Sequence, residues 1–338
     1  MYKTAVIGLG NIGFKYDLDK ERQGVAGKGI KTHVSAYQRS NNTELSGVIE
    51  VDDKTIDIFK TIYPNVRTYK SISQLMCSQN IDFISICTKT ESHSQILKEI
   101  IKYPIKGILC EKPIANNLID AQSMITLCEE RDILLTINHG RRWHGAYLVA
   151  KKLLENGKIG KVKAVTSIYS GEVFNIGTHL FDTIRMLIQK NPLTLSGVFH
   201  SSINNSDPSI SGWIEFEDNI HCTVTTNGTR MNMVFEIDII GSEGRIKILN
   251  NGGKIELSMF QDSLIYGGFR ELVLMDQPLI ESKDVLMEAV QENIIIFEKE
   301  KNKSNCSGHD GYKSLEMSVG LLKSAEMGGS PVGLNNGQ

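Results

Sequence analysis

Val6-Ile7-Gly8-Leu9-Gly10-Asn11-Ile12-Gly13 is the stretch that decides the fold of this 338-residue chain. An apolar run before it predicts a buried strand from Thr4 to Ile7, and the turn itself has the spacing G-x-G-x-x-G. In such a turn Gly8 permits the tight bend, Gly10 lets backbone N–H groups approach a pyrophosphate, and Gly13 permits close strand–helix contact. The N-terminus of the next helix would present unpaired N–H groups to the phosphates. We therefore predict a dinucleotide site at Gly8, Gly10, Asn11, Ile12 and Gly13, the alternative being an ordinary glycine-rich turn.

A charged, glycine-rich segment from Phe14 to Lys31 follows the turn and has no helical or strand periodicity. We interpret it as a loop inserted near the start of the first helix, which resumes at about Thr32. Loops of this length are often functional. The segment could cover the cofactor or substrate, or it could be a mobile surface excursion.

An acidic residue ends the second predicted strand, Leu45 to Ile49. Glu50 at that point would hydrogen-bond the adenosine ribose hydroxyls of a dinucleotide. It would also repel a 2′-phosphate, and no arginine follows it at 51–53. The sequence therefore favours NAD over NADP, unless Glu50 is only a surface acid at a strand end.

Strands and helices alternate through the first part of the chain. Further buried strands are predicted at 81–87, 105–110 and 133–137, with helical patterns between them. This alternation of strands and helices indicates a parallel, doubly wound sheet. Ligands of such sheets bind beyond the carboxyl ends of the strands. We predict a Rossmann domain at 1–142. The residues that follow its strands are Thr88, Glu111-Lys112-Pro113 and Asn138 to His144.

The second part, residues 143–338, has a different pattern of apolar and polar residues and is predicted to be a separate α/β domain. Its strand patterns alternate with period two and are joined by short turns, which predicts an antiparallel meander. A helix beginning near Gly177 interrupts the strands, and helices at 285–299 and 311–326 close the chain. One face of the sheet could pack on helices and the other could support oligomerisation.

Bulk composition limits the possible functions. The net charge of -2 and the pI near 6.5 predict no nucleic-acid partner and no acidic membrane surface. We expect neither a signal peptide nor a bilayer-spanning segment. The six cysteines have no metal-ligand spacing, and His139 and His144 lack a completing carboxylate, so we expect no metal site. A cytoplasmic protein fits these observations.

Three polar residues could carry proton and charge transfer. Lys112 follows a strand on the side where a nicotinamide should project, and a lysine can stabilise an alkoxide. Asn175 and His179 are four residues apart and would share one helical face. Histidine is the side chain best suited to exchange protons near neutral pH. The alternative for His179 is a cap or a packed core residue.

The order of these motifs resembles the Gfo/Idh/MocA oxidoreductases. The resemblance rests on the glycine turn, on Glu111-Lys112-Pro113 and on Gly177-Thr-His179-Leu-Phe-Asp182. Supporting matches are Thr88 with His93, Arg141-Arg142-Trp143, Asn156-Gly-Lys-Ile-Gly160 and Gly241-Ser-Glu-Gly244. The resemblance implies an N-terminal Rossmann domain, followed by an α/β domain with a large open, mainly antiparallel sheet. It also implies an NAD- or NADP-dependent enzyme acting on sugars, inositols or sugar nucleotides, as a homodimer or homotetramer.

The resemblance assigns residue roles. Lys112 would be the active-site lysine and His179 the acid/base histidine. Many members carry Asp where this chain has Asn175, and that departure is similar to members acting on nucleotide-linked or amino sugars in surface-polysaccharide pathways. We assign cofactor binding to the glycine turn and to Glu50, Thr88, His93, Glu111 and Lys112. We assign substrate binding to Arg141, Arg142, Trp143, Asn175 and His179.

The sequence thus predicts hydride transfer between NAD and a sugar hydroxyl or keto group, with His179, Lys112 and Asn175 as catalytic residues. Two other functions stay open. One is a glycosidase or eliminase that keeps its NAD bound. The other is a non-catalytic regulator that binds a dinucleotide or a sugar.

Overall fold

The computed structural model describes residues 1–18, 29–200, 207–281, 283–299 and 304–334. Residues 19–28 of the predicted inserted loop lie outside this described part. The chain divides into two compact units. The first unit is Met1–Trp143 with Asp284–Tyr312, and the second is His144–Lys283 with Lys313–Gln338.

The first unit contains a six-stranded sheet in which every strand pair is parallel. Its strands are β1 (Tyr2–Ile7), β2 (Thr43–Ile49), β3 (Arg67–Tyr69), β4 (Phe83–Ile86), β5 (Gly107–Cys110) and β6 (Leu134–Ile137). Their order is β3-β2-β1-β4-β5-β6. The order reverses direction at β1, as in a doubly wound Rossmann sheet, and the predicted fold class is confirmed. β3 was not predicted, because three partly exposed residues carry no apolar run.

Side-chain caps fix where four of the five helices around this sheet begin. Thr32, Asp52, Ser71 and Asn117 each accept a hydrogen bond from a backbone N–H three residues later. Such caps satisfy N–H groups that have no partner within the helix. The helices are α1 (His33–Arg39), α2 (Asp53–Ile62), α3 (Ile72–Ser78), α4 (His93–Ile100) and α5 (Leu118–Glu129).

The second unit contains a nine-stranded sheet. Its strands are β7 (Val162–Tyr169), β8 (Pro192–Phe199), β9 (Ile210–Phe216), β10 (Ile220–Thr226), β11 (Phe235–Gly241), β12 (Gly244–Leu249), β13 (Lys254–Asp262), β14 (Arg270–Leu274) and β15 (Val332–Gly333). The order is β14-β13-β12-β11-β7-β10-β9-β8-β15. β7 and β10 pair in parallel and the other pairs are antiparallel, so the sheet is mainly antiparallel, as predicted. A simple meander is wrong, because β7 lies between β11 and β10.

Two helices of the second unit, α6 (Gly145–Glu155) and α7 (Thr178–Ile188), precede and follow β7 in the chain. α7 buries the stripe of Leu180, Ile184 and Leu187 that its spacing predicts. These side chains join the core formed by the inner face of the sheet. Val173–Gly177, directly before α7, forms a π-helical turn.

The last helices are α8 (Val285–Glu298) and α9 (Gly308–Glu326). α8 belongs to the first unit, and the Phe297 ring near its end packs edge-on against Phe83 of β4 at 5.7 Å. The prediction that 143–338 forms one domain is therefore corrected, because 284–312 completes the core of the first unit. Within the described part of the chain, no helix combines the length and the apolar character needed to cross a membrane.

Candidate functional site

The glycine turn after β1 has two glycines that the fold requires and one that it does not. Gly8 has a φ of +92°, and a Cβ added to Gly13 would lie 2.1 Å from the Gly8 carbonyl oxygen. A Cβ added to Gly10 would meet no heavy atom of the described chain within 4 Å. Packing therefore explains Gly8 and Gly13 but not Gly10. A glycine with open space beside it suits the approach of a pyrophosphate, so the turn fits a dinucleotide.

The inserted segment leaves the junction between turn and helix intact. Val34 at the start of α1 donates its backbone N–H to the Gly13 carbonyl at 3.1 Å, and His33 donates to the Ile12 carbonyl at 3.1 Å. Asp17, in the first part of the inserted segment, accepts hydrogen bonds from the hydroxyls of Thr32 and Ser35, which follow the segment. α1 thus continues from the glycine turn across the insertion, and it begins close to the predicted Thr32.

Glu50 lies at the end of β2 and is half-buried. Its carboxylate accepts the backbone N–H of Leu9 at 2.9 Å, of Val51 at 2.7 Å and of Asp52 at 3.0 Å. These bonds join the glycine turn to the neighbouring strand end. Two carboxylate oxygens can accept about four hydrogen bonds, so a ribose hydroxyl still has an acceptor here. The predicted ribose contact stays a prediction.

Glu111 follows β5 and turns its carboxylate inward. The residue is only 8% exposed, and its Oε1 lies 2.9 Å from His33 Nε2 and accepts from Asn138 Nδ2 at 2.6 Å. Burial alone would raise the pKa of Glu111, but His33, Asn138 and the charge of Lys112 hold it below its ordinary value. Glu111 was predicted to bind cofactor. Its carboxylate ties the end of β5 to α1 and to the residue after β6, and its role at the cofactor stays a prediction.

The Thr88 loop beyond β4 packs directly on the glycine turn, because a Cβ on Gly8 would lie 2.9 Å from Thr88 Cγ2. His93 holds this loop. Its ring is fully buried, with Nε2 at 3.2 Å from the Thr88 carbonyl oxygen and Nδ1 at 3.1 Å from that of Pro113. Burial lowers the pKa of His93. The ring has no exposed surface and binds the chain itself. The predicted role of His93 at the cofactor stays a prediction.

The segment Gly140–Trp143 forms a 3₁₀ turn after β6. Arg142 is 6% exposed and pairs with Asp310 at 3.0 Å. Trp143 is 4% exposed and donates its Nε1–H to Glu292 at 2.7 Å. Both side chains therefore hold α8 and the start of α9 within the first unit. Their predicted role in substrate binding stays a prediction. Arg141, which is partly exposed, keeps its predicted role as a proposal.

Asn175 and His179 lie in the second unit, on the π-helical turn and on the first turn of α7. Both are partly exposed. π-helical turns of this kind are frequent at functional sites. The turn is held by Asp207, whose carboxylate accepts the backbone N–H of Phe174 at 2.8 Å and of Asn175 at 2.9 Å. Burial raises the pKa of Asp207, and these two bonds oppose the rise.

Sequence reasoning missed both His33 and Asp207. His33 stands 78 residues before its partner Glu111, directly after the inserted segment. Asp207 stands 32 residues after Asn175 and has no motif around it. Only the position of His33 at the start of a helix after the glycine turn could have indicated a role.

The cavity in the first unit does not coincide with the predicted cofactor and substrate residues. A cavity of about 570 Å³ in the first unit is lined by α5, β6 and residues 304–310, and none of the predicted site residues lines it. No group of three or more metal-ligating side chains was found among the residues that the structure describes.

Comparison with known proteins agrees with this geometry. Residues 22–139 match the profile of the oxidoreductase family Gfo/Idh/MocA, described as having an NAD-binding Rossmann fold. This part of the chain is similar to the Gfo/Idh/MocA oxidoreductase family. The matched span contains α1, the residues after β2, β4 and β5, and most of the six-stranded sheet.

Several proteins that are similar to part of this chain are named dehydrogenases or oxidoreductases. An uncharacterised oxidoreductase of Schizosaccharomyces pombe is 30% identical over 142 residues, covering 36% of this chain and 38% of that protein. Myo-inositol 2-dehydrogenase of Thermotoga maritima is 26% identical over 159 residues, covering 47% of this chain and 42% of the enzyme. The alignments thus span about half or less of these curated relatives.

Solved structures of oxidoreductases share the fold of this chain. An oxidoreductase from Agrobacterium radiobacter, solved with NAD⁺, L-tartaric acid and magnesium, superposes with a TM-score of 0.76. The match covers 98% of both chains at 19% identity. At that identity the likeness establishes the fold alone.

Proposed function

We propose that this protein is a member of the Gfo/Idh/MocA oxidoreductases and transfers a hydride between NAD and a secondary hydroxyl or keto group of a sugar or sugar nucleotide, in carbohydrate or surface-polysaccharide metabolism. The observation that carries the proposal is the glycine turn, in which Gly10 has no packing reason to be glycine. The partial similarity to myo-inositol 2-dehydrogenase supports a polyhydroxylated substrate.

The residues that would hold the dinucleotide come from the turn and from its neighbours. Gly10, Asn11, Ile12 and Gly13 would hold the pyrophosphate and Glu50 the ribose; we further assign Thr88 and Lys112 to this site. When bound, NAD accepts the hydride. NADP fits less well, because Glu50 is followed by the acidic pair Asp52 and Asp53.

The chain itself would supply the proton and charge transfer. We assign to His179 the removal of the hydroxyl proton, because its ring can exchange protons near neutral pH. The Lys112 ammonium would stabilise the developing oxyanion. Asn175 would orient the substrate, and Arg141 would contact a phosphate or carboxylate on it.

The first test is a thermal-shift titration with NAD, NADP and NADH, repeated with a panel of nucleotide sugars and inositols. A ligand that binds only the native state raises its melting temperature. We expect a shift with NAD that one sugar enlarges, followed by NADH formation with that sugar. No shift with any dinucleotide, and no cofactor released on denaturation, would overturn the proposal.

The second test assigns the catalytic residues. Lys112→Met and His179→Asn should each lower turnover by about 100-fold or more, because a positioned proton-transfer group contributes about 10²–10⁴-fold. The thermal shift with NAD should persist in both variants. Unchanged turnover in both would contradict the assignment.

The same measurements distinguish the two other functions. A glycosidase or eliminase that retains NAD would purify with the cofactor and turn over its substrate without net NADH. A regulator would bind ligand and show no turnover with any sugar. We also propose a homodimer or homotetramer, because alternate residues of β10 are exposed along one face of the sheet. Light scattering during size-exclusion chromatography would test it.

A further inference from the structure

A buried chain of polar groups lies beneath the Glu111–Pro113 segment. His33 is fully buried, with Nδ1 at 2.8 Å from Ser85 Oγ and Nε2 at 2.9 Å from Glu111 Oε1. Ser85, also fully buried, is 2.9 Å from the Tyr37 hydroxyl. Buried polar groups in folded proteins are hydrogen-bonded, and here each partner is a side chain of the first unit.

The proton on one ring nitrogen of His33 follows from its partner. An ionised carboxylate can only accept hydrogen bonds, so His33 Nε2 must carry a hydrogen and donate it to Glu111. A hydroxyl can donate or accept, so Ser85 is compatible with either state of Nδ1. The Nε2 contact is therefore the one that holds Glu111, and the Nδ1 contact orients the ring.

The backbone at Glu111 is already fixed to its neighbours. Glu111 donates its N–H to the Ile86 carbonyl at 2.9 Å, and Asn138 donates its N–H to the Cys110 carbonyl at 2.8 Å. What the sheet does not fix is the side chain of Glu111 and the direction in which the chain leaves β5. His33 and Asn138 fix the carboxylate, and Lys112 is the next residue.

We propose that His33 is a positioning residue for Lys112. By holding the Glu111 carboxylate, His33 fixes the place of the next residue, Lys112. The inference rests on the proposed function, in which Lys112 stabilises an oxyanion. A misplacement of about 1 Å in a catalytic group can cost about 100-fold in rate. The attraction between Glu111 and Lys112 is mutual, so a held, ionised Glu111 also favours the ammonium form of the lysine.

Two substitutions at one position separate positioning from general stability. The Gln side-chain amide in His33→Gln reaches the place of Nε2 and can donate to Glu111. The Asn amide in His33→Asn reaches only the place of Nδ1, so it keeps the Ser85 contact and loses Glu111. We expect His33→Asn to lower kcat about tenfold with little change in the KM for NAD. His33→Gln should keep kcat within about threefold of the wild type.

A readout without turnover keeps this test separate from the proposed function. Trace labelling with acetic anhydride, read by mass spectrometry, measures how readily each lysine reacts as its free amine. Relative to the exposed Lys163, we expect labelling of Lys112 to rise about threefold in His33→Asn and to stay unchanged in His33→Gln. Glu111→Gln, which removes the charge and keeps the shape, should give the same rise and serves if His33→Asn does not fold.

Equal labelling of Lys112 in all variants would overturn the proposal, whatever the activity assays show. An equal loss of kcat in His33→Gln and His33→Asn would overturn it as well, because the Glu111 contact would then not be the feature that matters. If the wild type turns over no sugar, the proposed function fails and the labelling result still decides the role of His33.

Discussion

The two regions that carry the candidate catalytic residues are held in opposite ways. In the strand-end region, formed by Gly8–Gly13 and Glu111–Pro113, side chains hold a side chain: His33 and Asn138 bind the Glu111 carboxylate. In the helix-entry region, Glu172–His179, a side chain holds the backbone: Asp207 accepts two successive N–H groups. The position of Lys112 therefore depends on a buried charge, whereas that of Asn175 depends on a cap.

The difference follows from the parent elements. At the end of a parallel strand the ladder already satisfies the backbone, so only the side chains need partners. At the entry of a helix the first N–H groups have no partner within the helix and require an acceptor from elsewhere. A carboxylate suits that place, because it accepts two N–H groups and complements the positive end of the helix dipole.

The largest expected effect tests the strand-end region. Gly13→Ala places a Cβ 2.1 Å from the Gly8 carbonyl oxygen, so it should lower the free energy of unfolding by about 3 kcal/mol or more. Gly10→Ala meets no described atom within 4 Å and should leave stability unchanged. It should instead weaken NAD binding about tenfold, which is about 1.4 kcal/mol.

Urea denaturation and an NAD titration of both variants would measure these effects. A Gly10→Ala protein that binds NAD as tightly as the wild type would remove the reason for placing the pyrophosphate there. An equal loss of stability in both variants would show that the two glycines are not distinguished by packing.

The next effect tests the helix-entry region. Asp207→Asn replaces one acceptor oxygen by an amide nitrogen, so one of the N–H groups of Phe174 and Asn175 loses its partner. An unsatisfied group of this kind costs about 1–2 kcal/mol, measured by thermal or urea denaturation. If Asn175 orients the substrate, the KM for the sugar should also rise, while the affinity for NAD should not change.

The control for this variant is Asp218→Asn. Asp218 pairs with Lys190 at 2.6 Å, but its side chain is 67% exposed, so solvent screens the pair. Its removal should leave the melting temperature and the KM nearly unchanged. Similar effects of the two substitutions would mean that Asp207 acts as a surface charge and does not hold the turn.

The same contrast explains what the sequence could predict. Local patterns revealed the glycine turn, the alternation of the Rossmann sheet and the period-two strands, because each depends on neighbours in the chain. Sequence similarity revealed the Glu111-Lys112-Pro113 motif, but not that Glu111 points inward. The partner of that carboxylate is His33, which lies on α1, whereas Glu111 follows β5. No periodicity predicts a contact between residues 78 positions apart.

Residues that were predicted to bind a ligand near strand ends are not all exposed. Arg142, Trp143 and His93 all follow strands on the side where ligands bind, and all three are buried. Each has a partner that sequence could not supply: an aspartate at the start of α9, a glutamate on α8 and two backbone carbonyls. A position at a strand end is thus consistent with binding a ligand or with holding a neighbouring element.

The smallest expected effect is a pH dependence from His93, whose ring contacts the Pro113 carbonyl of the strand-end region. Burial lowers the pKa of His93 below its ordinary 6.5, so below that pH the unfolded chain takes up a proton that the folded chain does not. Stability is therefore fully present above about pH 6.5 and is lost as the pH falls toward the folded pKa. Between about pH 7.5 and about pH 5.5 the loss from this residue is at most about 1.4 kcal/mol.

His93→Gln should remove this component, so its urea midpoint should fall less than that of the wild type over the same pH range. The exposed His221, replaced in the same way, is the control and should leave the wild-type slope unchanged. Equal slopes in all three proteins would mean that burial does not lower the pKa of His93. A wild-type midpoint that falls less than that of His93→Gln would mean that the ring is protonated in the folded state. Its two carbonyl contacts would then both be hydrogen bonds donated by an imidazolium, and the strand-end region would hold a second buried charge beside Glu111.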